Sequence, residues 1–299
     1  MKVLVFGSFN IDKVYRLAHL PDRGQTLYCD DYAVHVGGKG LNQALAFARA
    51  GADTFAAGKV GREDGAYLTD YLARGGVDVS AVAADGEHTG HTIIEVDPDG
   101  ENQMILFGGA NREITPADCE RILRDHADAD LLMTQYETSC VEYMLELAHR
   151  AGIRTAVNPS PYVPQVRSLP FERIDILILN AFEGESITGE RDPAAVVRAL
   201  HARSHGVVVL TRGADGAMYF DGETEARVPA FRVDALDTTG AGDTFTGFCL
   251  HALLTGASPA RALRLGAAAS AIEVTRVGAA ETIPTREEVL RFLEARGEA

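Results

Sequence analysis

The sequence predicts an α/β fold in which a doubly wound, mostly parallel sheet is flanked by helices. The main observation is the second half of the chain, where short apolar runs alternate with helical segments. Alternation of this kind implies parallel strands joined by right-handed crossovers. A second observation is the apolar run at residues 3–6, which is short, continuous and ended by Gly7, as expected of a strand buried on both faces. We therefore predict one sheet that begins with this first strand and is completed by the second half.

Two patches of a different kind interrupt the first half. Residues 13–36 and 88–108 contain short runs in which polar and apolar residues alternate, and these runs lie at 14–17, 26–28, 92–96 and 103–107. Alternation predicts strands with one buried face. We expect the two patches to form one small β-sheet lid, inserted into a single domain that spans residues 1–299. A small sheet with one apolar face needs a cover on that face.

The remaining elements follow from apolar spacing and from helix caps. Strands are predicted at 54–57, 131–133, 153–157, 174–179 and 207–210, followed by a hairpin of 217–220 and 224–228. Helices are predicted at 39–51, 64–74, 140–151 and 258–271. Thr115 and Pro116 cap and begin another helix, and Thr285 with Glu288 forms a capping box for the last one.

A glycine turn at residues 237–243 opens directly into an apolar helix. The glycines at 240 and 242 allow backbone N–H groups to converge, and the start of a helix adds unpaired donors and a positive dipole end. These features favour an anion site. Asp243 lies within the first helical turn, whereas a simple cap precedes the helix, so a catalytic base is the better interpretation. The pattern is no dinucleotide fingerprint, because Phe245 stands where the third glycine belongs, and residues 37–40 lack the Ser or Thr of a P-loop.

Both glycine motifs resemble those of the ribokinase-like (PfkB) carbohydrate kinases. The signature D-T-x-G-A-G-D of this family stands at 237–243, and its diglycine motif opening a helix stands at 37–43. The resemblance covers essentially the whole chain. It implies ATP-dependent transfer of the γ-phosphoryl group to a primary hydroxyl of a small sugar. The catalytic groups that it implies are the base Asp243 and the backbone N–H groups of Gly240, Ala241 and Gly242, which would stabilise the transferred phosphoryl group.

The resemblance also assigns ligands for the sugar and the nucleotide. The implied sugar ligands are Asn10, Asp12, Gly38, Lys39, Asn42, Glu137 and Asp243. The implied nucleotide ligands are Asn180, Thr211, Gly213, Gly216 and Gly242. From the residues alone, Asn10 and Asp12 are equally well explained by an Asx turn after the first strand. For Lys39, a side chain in solvent is the preferred interpretation.

Two metal ions are expected beside ATP. The motif N-x-x-E at 180–183 implies that Glu183 supports Mg²⁺ through water, which is physically reasonable because Mg²⁺ keeps much of its hydration. The family resemblance further implies K⁺ as an activator next to the anion site. The matching positions for this monovalent cation are Asp237, Thr239, Glu273, Arg276, Gly278 and Thr282, with Glu273 acting through its carbonyl group.

Composition limits the partners and the compartment. A net charge of −15 argues against nucleic acid and acidic membranes as partners, and it requires local features to hold ATP. Cysteines 29, 119, 140 and 249 show no zinc spacing, so free thiols in a reducing compartment are expected. The run at 3–6 is too short for a signal peptide and no run is long enough to span a bilayer, so we expect a cytoplasmic protein. The resemblance adds a homodimer formed through the lid.

D-ribose is the expected acceptor, with ribose 5-phosphate as the product. Residues 37–43 and 135–137 are most similar to those of ribose kinases, and the acceptor segments 7–12 and 135–137 offer amides and carboxylates but no cation, which suits neutral hydroxyls. Thr239-Gly240 departs from the ribose-kinase pattern, so fructose, ketodeoxygluconate, deoxyribose and nucleosides stay open as acceptors.

Two other functional classes are considered. A dehydrogenase would need an early GxGxxG motif, which residues 7–10 do not supply. A catalytically silent sugar or nucleotide sensor would be expected to lack the base, whereas Asp243 is present.

Overall fold

The computed structural model describes residues 1–298. The strands are β1 (Lys2–Phe6), β2 (Asn10–Arg16), β3 (Asp31–Gly37), β4 (Asp53–Gly61), β5 (Asp78–Gly86), β6 (Gly90–Val96), β7 (Asn102–Phe107), β8 (Leu131–Gln135), β9 (Arg154–Asn158), β10 (Ile176–Asn180), β11 (Val207–Thr211), β12 (Ala217–Phe220) and β13 (Glu225–Val228). The α-helices are α1 (Lys39–Ala50), α2 (Ala66–Arg74), α3 (Pro116–Asp125), α4 (Val141–Ala151), α5 (Ala181–Thr188), α6 (Pro193–Ser204), α7 (Ala241–Leu254), α8 (Pro259–Glu273) and α9 (Arg286–Glu294).

The larger sheet has the strand order β13-β12-β11-β10-β9-β8-β1-β4-β5. Its neighbouring strands are parallel from β5 to β11, and only β12 and β13 at one edge are antiparallel to their neighbours. The predicted doubly wound α/β fold is confirmed. Because β1, β8, β9 and β10 run in one direction, the polar residues at their carboxyl ends meet along one edge of the sheet.

The smaller sheet has the order β3-β2-β6-β7, and we call it the lid sheet. Its strands come from the two predicted patches, but the run at 26–28 is not a strand. Pro21 and Gly24 keep this segment in a loop, and β3 begins only at Asp31. Asn10 and Asp12 lie within β2, so the Asx-turn interpretation is wrong. Only residues 7–9 separate β1 from β2, and only Gly38 separates β3 from α1.

The predicted helix caps match the structure more closely than the predicted helix boundaries do. Thr115 caps α3, and Thr285 forms its capping box with Glu288 at α9. The predicted helix at 64–74 begins at Ala66, and α8 continues two residues past 271. The sequence analysis did not predict β5, in which only Ala81 and Gly86 are buried, or α6, although Asp192 caps α6 and Pro193 begins it. Among the described residues no helix is long and apolar enough to cross a membrane.

Helices α1 and α7 are packed side by side in the core on one face of the larger sheet. Leu41 and Phe47 of α1 and Phe248 and Leu250 of α7 are buried in this core. Gly247 allows the closest approach, since a Cβ atom there would lie 2.5 Å from Ala46 Cβ and 2.7 Å from the backbone nitrogen of Phe47. The two helices therefore touch through their backbones, which fixes the spacing of the polar residues in their first turns.

Candidate active site

The first turn of α7 holds the glycine turn, residues 237–243, which we call the anion loop. Gly240 is the N-cap residue of α7 and has a φ of 81°, in the left-handed region that favours glycine. At Gly242, a Cβ atom would meet nothing within 4 Å, so the loop faces open space on that side. Unpaired N–H groups at a helix start that faces open space are the arrangement that binds phosphate.

Asp243 is only 4% exposed and is oriented by α1. Its Oδ1 accepts a hydrogen bond from Gln43 Nε2 at 2.8 Å, and its Oδ2 accepts one from Asn42 Nδ2 at 3.1 Å. Lys39 Nζ lies 3.9 Å from Oδ1, and the carboxylate of Asp243 raises the pKa of Lys39. The interpretation of Lys39 as a side chain in solvent is wrong, because it lies against Asp243 and stays protonated.

Buried amides connect this carboxylate to the strand ends. Gln43 Oε1 accepts from Gln135 Nε2 at 2.6 Å, and Gln43 Nε2 also donates to Asn158 Oδ1 at 3.1 Å. Asn158 in turn donates to the carbonyl of Ile178 at 2.9 Å. The sequence analysis gave Gln43 no role, although it lies in the diglycine motif. Its position one residue after Asn42 was the available signal, and its partners lie 92 and more positions away.

A cavity of about 150 Å³ lies on the acceptor side, and its lining residues are Asn10, Leu106, Gly108, Asn111, Arg112 and Glu137. Two predicted sugar ligands, Asn10 and Glu137, therefore share one cavity. Glu137 Oε2 accepts from the backbone N–H of Lys39 at 3.3 Å and from the hydroxyl of Ser8. Asn10 Oδ1 accepts from Asn111 Nδ2 at 2.9 Å. Gly38, at the N-cap of α1, accepts the backbone N–H of Asn42.

Asn111 and Arg112 were missed by the sequence analysis. Asn111 is buried and bonds both the N–H and the carbonyl of Phe9, which fixes the chain between β1 and β2. Arg112 corrects the expectation that the acceptor side has no cation. Within residues 1–298 its guanidinium forms no ion pair, so it is available to an oxygen atom of the acceptor. Both residues follow the lid run at 103–107, in a segment with no recognisable motif, so the sequence gives no signal for their place in the cavity.

Asp12 has a perturbed carboxyl group. Burial and the nearby charge of Glu137 raise its pKa to about 6, although a hydrogen bond from Thr92 lowers it in part. The carboxylate form is the better acceptor of sugar hydroxyls, because hydrogen bonds to charged groups are the stronger ones.

We predict that the KM for the sugar falls as the pH rises through about 6, because Asp12 becomes ionised there. The KM for ATP should not follow this change. The Asp12→Asn variant should raise the sugar KM by about 10-fold or more and should remove this pH dependence. Initial rates at several sugar concentrations and pH values measure both effects. An Asp12→Asn variant that keeps the wild-type pH profile would contradict the assignment.

A second cavity, of about 330 Å³, is lined in part by Thr238, Ala241 and Gly242 of the anion loop. Four predicted nucleotide ligands line it, namely Thr211, Gly213, Gly216 and Gly242. Its other walls are mostly apolar and include Ala230, Phe231, Val233, Ala267, Ala271 and Val274. An apolar slot ending at an anion-binding turn fits a nucleotide, with the base in the slot and the phosphates at the turn.

Asn180 does not line this cavity. It caps α5, where its Oδ1 accepts from the N–H of Glu183 at 2.8 Å and its own N–H donates to Glu183 Oε2 at 2.9 Å. This capping box leaves Glu183 Oε1 uninvolved, and Glu183 contributes to the raised pKa of Lys39, so the carboxylate lies near the anion loop. An acidic oxygen in this place fits a water-mediated role toward Mg²⁺.

Asp237 joins the two loops predicted to hold a monovalent cation. Its Oδ1 accepts from the N–H of Thr239 at 2.9 Å, and its Oδ2 accepts from the N–H of Gly278 at 3.1 Å. Thr282 Oγ1 donates to the carbonyl of Gly278 at 3.0 Å. The predicted ligand positions are thus brought together by direct contacts.

Two carbonyl groups in this cluster already accept one hydrogen bond from Arg276. Its backbone N–H donates to the carbonyl of Glu273 at 2.9 Å, and its guanidinium donates to the carbonyl of Thr282 at 3.2 Å. A carbonyl oxygen has two lone pairs, so each can still ligate. The donor set is rich in oxygen and fits a hard cation.

A third cavity, of about 570 Å³, is larger than these two and lies at the opposite edge of the sheet. It is lined by Arg154, Ile176 and Val207 near the amino ends of β9, β10 and β11. Ligands of open α/β sheets bind at the carboxyl ends of the strands, and the perturbed carboxyl groups also lie there. We therefore place the candidate active site at the two smaller cavities, one lined in part by the anion loop and the other by Asn10 and Glu137.

Comparisons with known proteins agree with this geometry. The chain matches the pfkB family carbohydrate kinase over residues 1–286. The ribokinase of Haemophilus influenzae is 35% identical over 97% of this chain and 97% of its own length. A ribokinase structure from Thermotoga maritima is similar with a TM-score of 0.86 and 32% identity, covering 98% of this chain and 99% of that one. A structure of Arabidopsis thaliana ribokinase complexed with ribose and ATP gives 0.86 and 28%, covering 98% of both chains.

The family match extends over nearly all of the sequence, and the Haemophilus relative is similar from end to end. The two signature motifs of the family form the anion loop and the start of α1, which meet at Asp243. The chain belongs to the pfkB family of carbohydrate kinases.

Proposed function

We propose that this chain is a ribose kinase, which transfers the γ-phosphoryl group of ATP to the primary hydroxyl of D-ribose and gives ribose 5-phosphate. The observation that carries the proposal is that neighbouring residues connect Asp243 to both cavities. Gly242, its neighbour, lines the apolar slot. Lys39 connects Asp243 to the acceptor side. Its Nζ lies 3.9 Å from Asp243 Oδ1, and its backbone N–H donates to Glu137 Oε2.

In this proposal Asp243 accepts the proton of the attacking hydroxyl. Its two oxygens are held by Asn42 and Gln43, so the carboxylate is oriented before the sugar binds. Such orientation lowers the barrier because little rearrangement is needed during the reaction. Lys39 and the N–H groups of the anion loop lie where negative charge develops on the phosphoryl oxygens, and they stabilise it.

Mg²⁺ would neutralise charge on the phosphates when it is bound with the nucleotide. Glu183 is the residue of this chain suited to hold its water shell, and Asn180 fixes the Glu183 carboxylate through the capping box. On the acceptor side, Asn10, Asp12, Gly38, Asn42 and Glu137 would bind the hydroxyl groups of the sugar. The relative complexed with ribose and ATP supports this pairing of ligands.

An acceptor panel tests the proposed substrate. We expect ribose to give the highest kcat/KM among ribose, 2-deoxyribose, fructose, fructose 6-phosphate, ketodeoxygluconate and nucleosides, with ADP formation as the readout. Amide and carboxylate groups that are left unpaired disfavour an acceptor lacking one hydroxyl. Arg112 makes fructose 6-phosphate an informative competitor, because an arginine in the acceptor cavity can pair with a phosphate. If fructose 6-phosphate is the best acceptor, ribose is the wrong substrate, although a kinase remains.

Potassium should raise the turnover rate above that in sodium. The loops joined by Asp237 offer carbonyl, carboxylate and hydroxyl oxygens, and a cation held there would order the anion loop. The measurement is the rate in matched chloride salts after exhaustive dialysis. Equal rates in the two salts would argue against a cation site at these loops.

The exposed strand β7 supports a homodimer formed through the lid sheet. Four consecutive residues are partly in solvent, at 56% for Met104, 63% for Ile105, 48% for Leu106 and 46% for Phe107. β7 is an edge strand, and an apolar edge needs a partner. A second copy of this chain is the proposed partner. Sedimentation velocity should show a dimer for the wild type and a monomer for Ile105→Lys, and a monomeric wild type would contradict it.

The free thiols support the proposed cytoplasmic location. Cys29, Cys119, Cys140 and Cys249 are all unpaired, as expected in a reducing compartment. Cell fractionation with an antibody against the chain would test it, and recovery from an oxidising compartment would count against it.

A further inference from the structure

Glu273, at the end of α8, has a fully buried carboxyl group that the proposed mechanism does not use. The residue is 0% exposed, and within the described part of the chain neither carboxyl oxygen has a hydrogen-bond partner. The hydroxyl of Thr244, which lies close to it, is likewise buried and without a partner of ordinary geometry. An unsatisfied buried carboxyl group destabilises a fold, so its presence calls for an explanation.

The side chain lies directly beneath the anion loop. Its Oε1 is 2.7 Å from the place that a Cβ atom on Gly240 would occupy. Gly240 and Thr244 stand on either side of Asp243 in the first turn of α7, and the backbone N–H of Thr244 donates to the carbonyl of Gly240 at 2.9 Å. Glu273 therefore contacts the turn that holds the carboxylate of Asp243, and it lines neither of the two cavities.

The charges around Glu273 do not include a salt-bridge partner. The charged groups that act on it are the carboxylates of Asp243 and Asp237 and the guanidinium of Arg49. A buried carboxyl group in this setting can exchange hydrogen bonds with a neighbouring hydroxyl such as that of Thr244.

We propose that Glu273 is a positioning residue for phosphoryl transfer, which supports the anion loop through Gly240 and Thr244 with a polar group where stability alone would favour an apolar one. This inference rests on the proposed kinase function. A turn that must accept and release phosphoryl oxygens needs a support that can exchange hydrogen bonds, and Glu273 with Thr244 provides two polar groups for this purpose.

The test compares Glu273→Met, which keeps the length of the side chain without its polar group, with Glu273→Gln, which keeps both. We expect Glu273→Met to melt at or above the wild-type temperature while its kcat falls by about 10- to 100-fold and its sugar KM is unchanged. Glu273→Gln should keep most of the wild-type kcat, because an amide can also donate and accept. Ile272→Leu, a volume-conserving change at the preceding position of α8, is the control and should leave kcat unchanged.

A Glu273→Met variant with the wild-type kcat would overturn the proposal, since the side chain would then be only a buried residue of α8. The same conclusion would follow if Glu273→Gln lost as much activity as Glu273→Met. Thr244→Val gives an independent check, because it should lower kcat in the same direction and should add little to Glu273→Met in the double variant. Fully additive losses would contradict the coupling.

The two proposals fail separately. Turnover of ribose by the wild type tests the proposed substrate. The ratio of variant to wild-type kcat, measured with whichever acceptor the wild type uses, tests the role of Glu273.

Discussion

Asp243→Asn should lower kcat by about 100-fold or more, the loss that follows removal of a general base. The amide keeps the shape of the side chain but cannot accept the hydroxyl proton. It also brings an NH₂ group against Asn42 or Gln43, which both donate to the present carboxylate. The affinity for ATP should change little, because the backbone of the anion loop is untouched. Steady-state kinetics with calorimetric titration of ATP measure the two quantities.

Asp221→Asn is the matched control for this variant. Asp221 also accepts several hydrogen bonds, from Tyr219, Glu223 and Thr224, but it lies in the turn after β12, away from both cavities of the active site. The control should lose some stability and keep its kcat. Turnover near the wild-type rate in Asp243→Asn would remove this residue from the mechanism.

Gly247→Ala should destabilise the fold by about 1 to 3 kcal/mol and should also lower kcat. The added methyl group would overlap Ala46 and the backbone of Phe47, so α7 must move away from α1. Asn42 and Gln43 lie on α1 and Asp243 on α7, so this movement would separate the base from the amides that orient it. A displacement of about 1 Å at a catalytic group can cost about 100-fold in rate. Thermal unfolding and kcat measure the two effects.

Gly242→Ala is the stability control, since it places the same methyl group on the same helix. Nothing lies within 4 Å of that methyl group, and alanine favours a helix by up to about 1 kcal/mol, so the unfolding temperature should not fall. Its affinity for ATP should fall, because the methyl group enters the space next to the anion loop. If both variants unfold at the wild-type temperature, the close contact between α1 and α7 is not important for stability.

The parts of the site that could be predicted are those encoded in one continuous segment. The glycine turn and the helix that follows it place Asp243 without reference to the rest of the chain. The capping box of Asn180 and Glu183 is equally local, but the sequence analysis interprets this motif only as support for Mg²⁺. The parallel sheet followed from the alternation of strands and helices, which is also a local pattern.

The parts that could not be predicted depend on contacts between distant segments. Gln43 and Asp243 are 200 positions apart, and only the packing of α1 on α7 brings them together. For Lys39 the sequence favours a side chain in solvent, because it does not show that a buried carboxylate lies near its Nζ. Arg112 belongs to a short 3₁₀-helix, and its place in the acceptor cavity depends on how the lid sheet lies over the sheet edge.

The chain enters and leaves the β2–β3 hairpin of the lid sheet next to predicted sugar ligands. Residues 7–9 lead from β1 into β2, which begins at Asn10, and Gly38 leads from β3 into α1. Asn10 and Asp12 are themselves residues of this hairpin, and Leu106 in β7 lines the same cavity. A bound sugar would therefore link the lid sheet to the rest of the domain through its hydrogen bonds, and the product could leave only after these bonds break. Turnover would then be limited by the rate at which the lid opens with product bound. The sugar that binds most tightly need not be the one that is converted fastest.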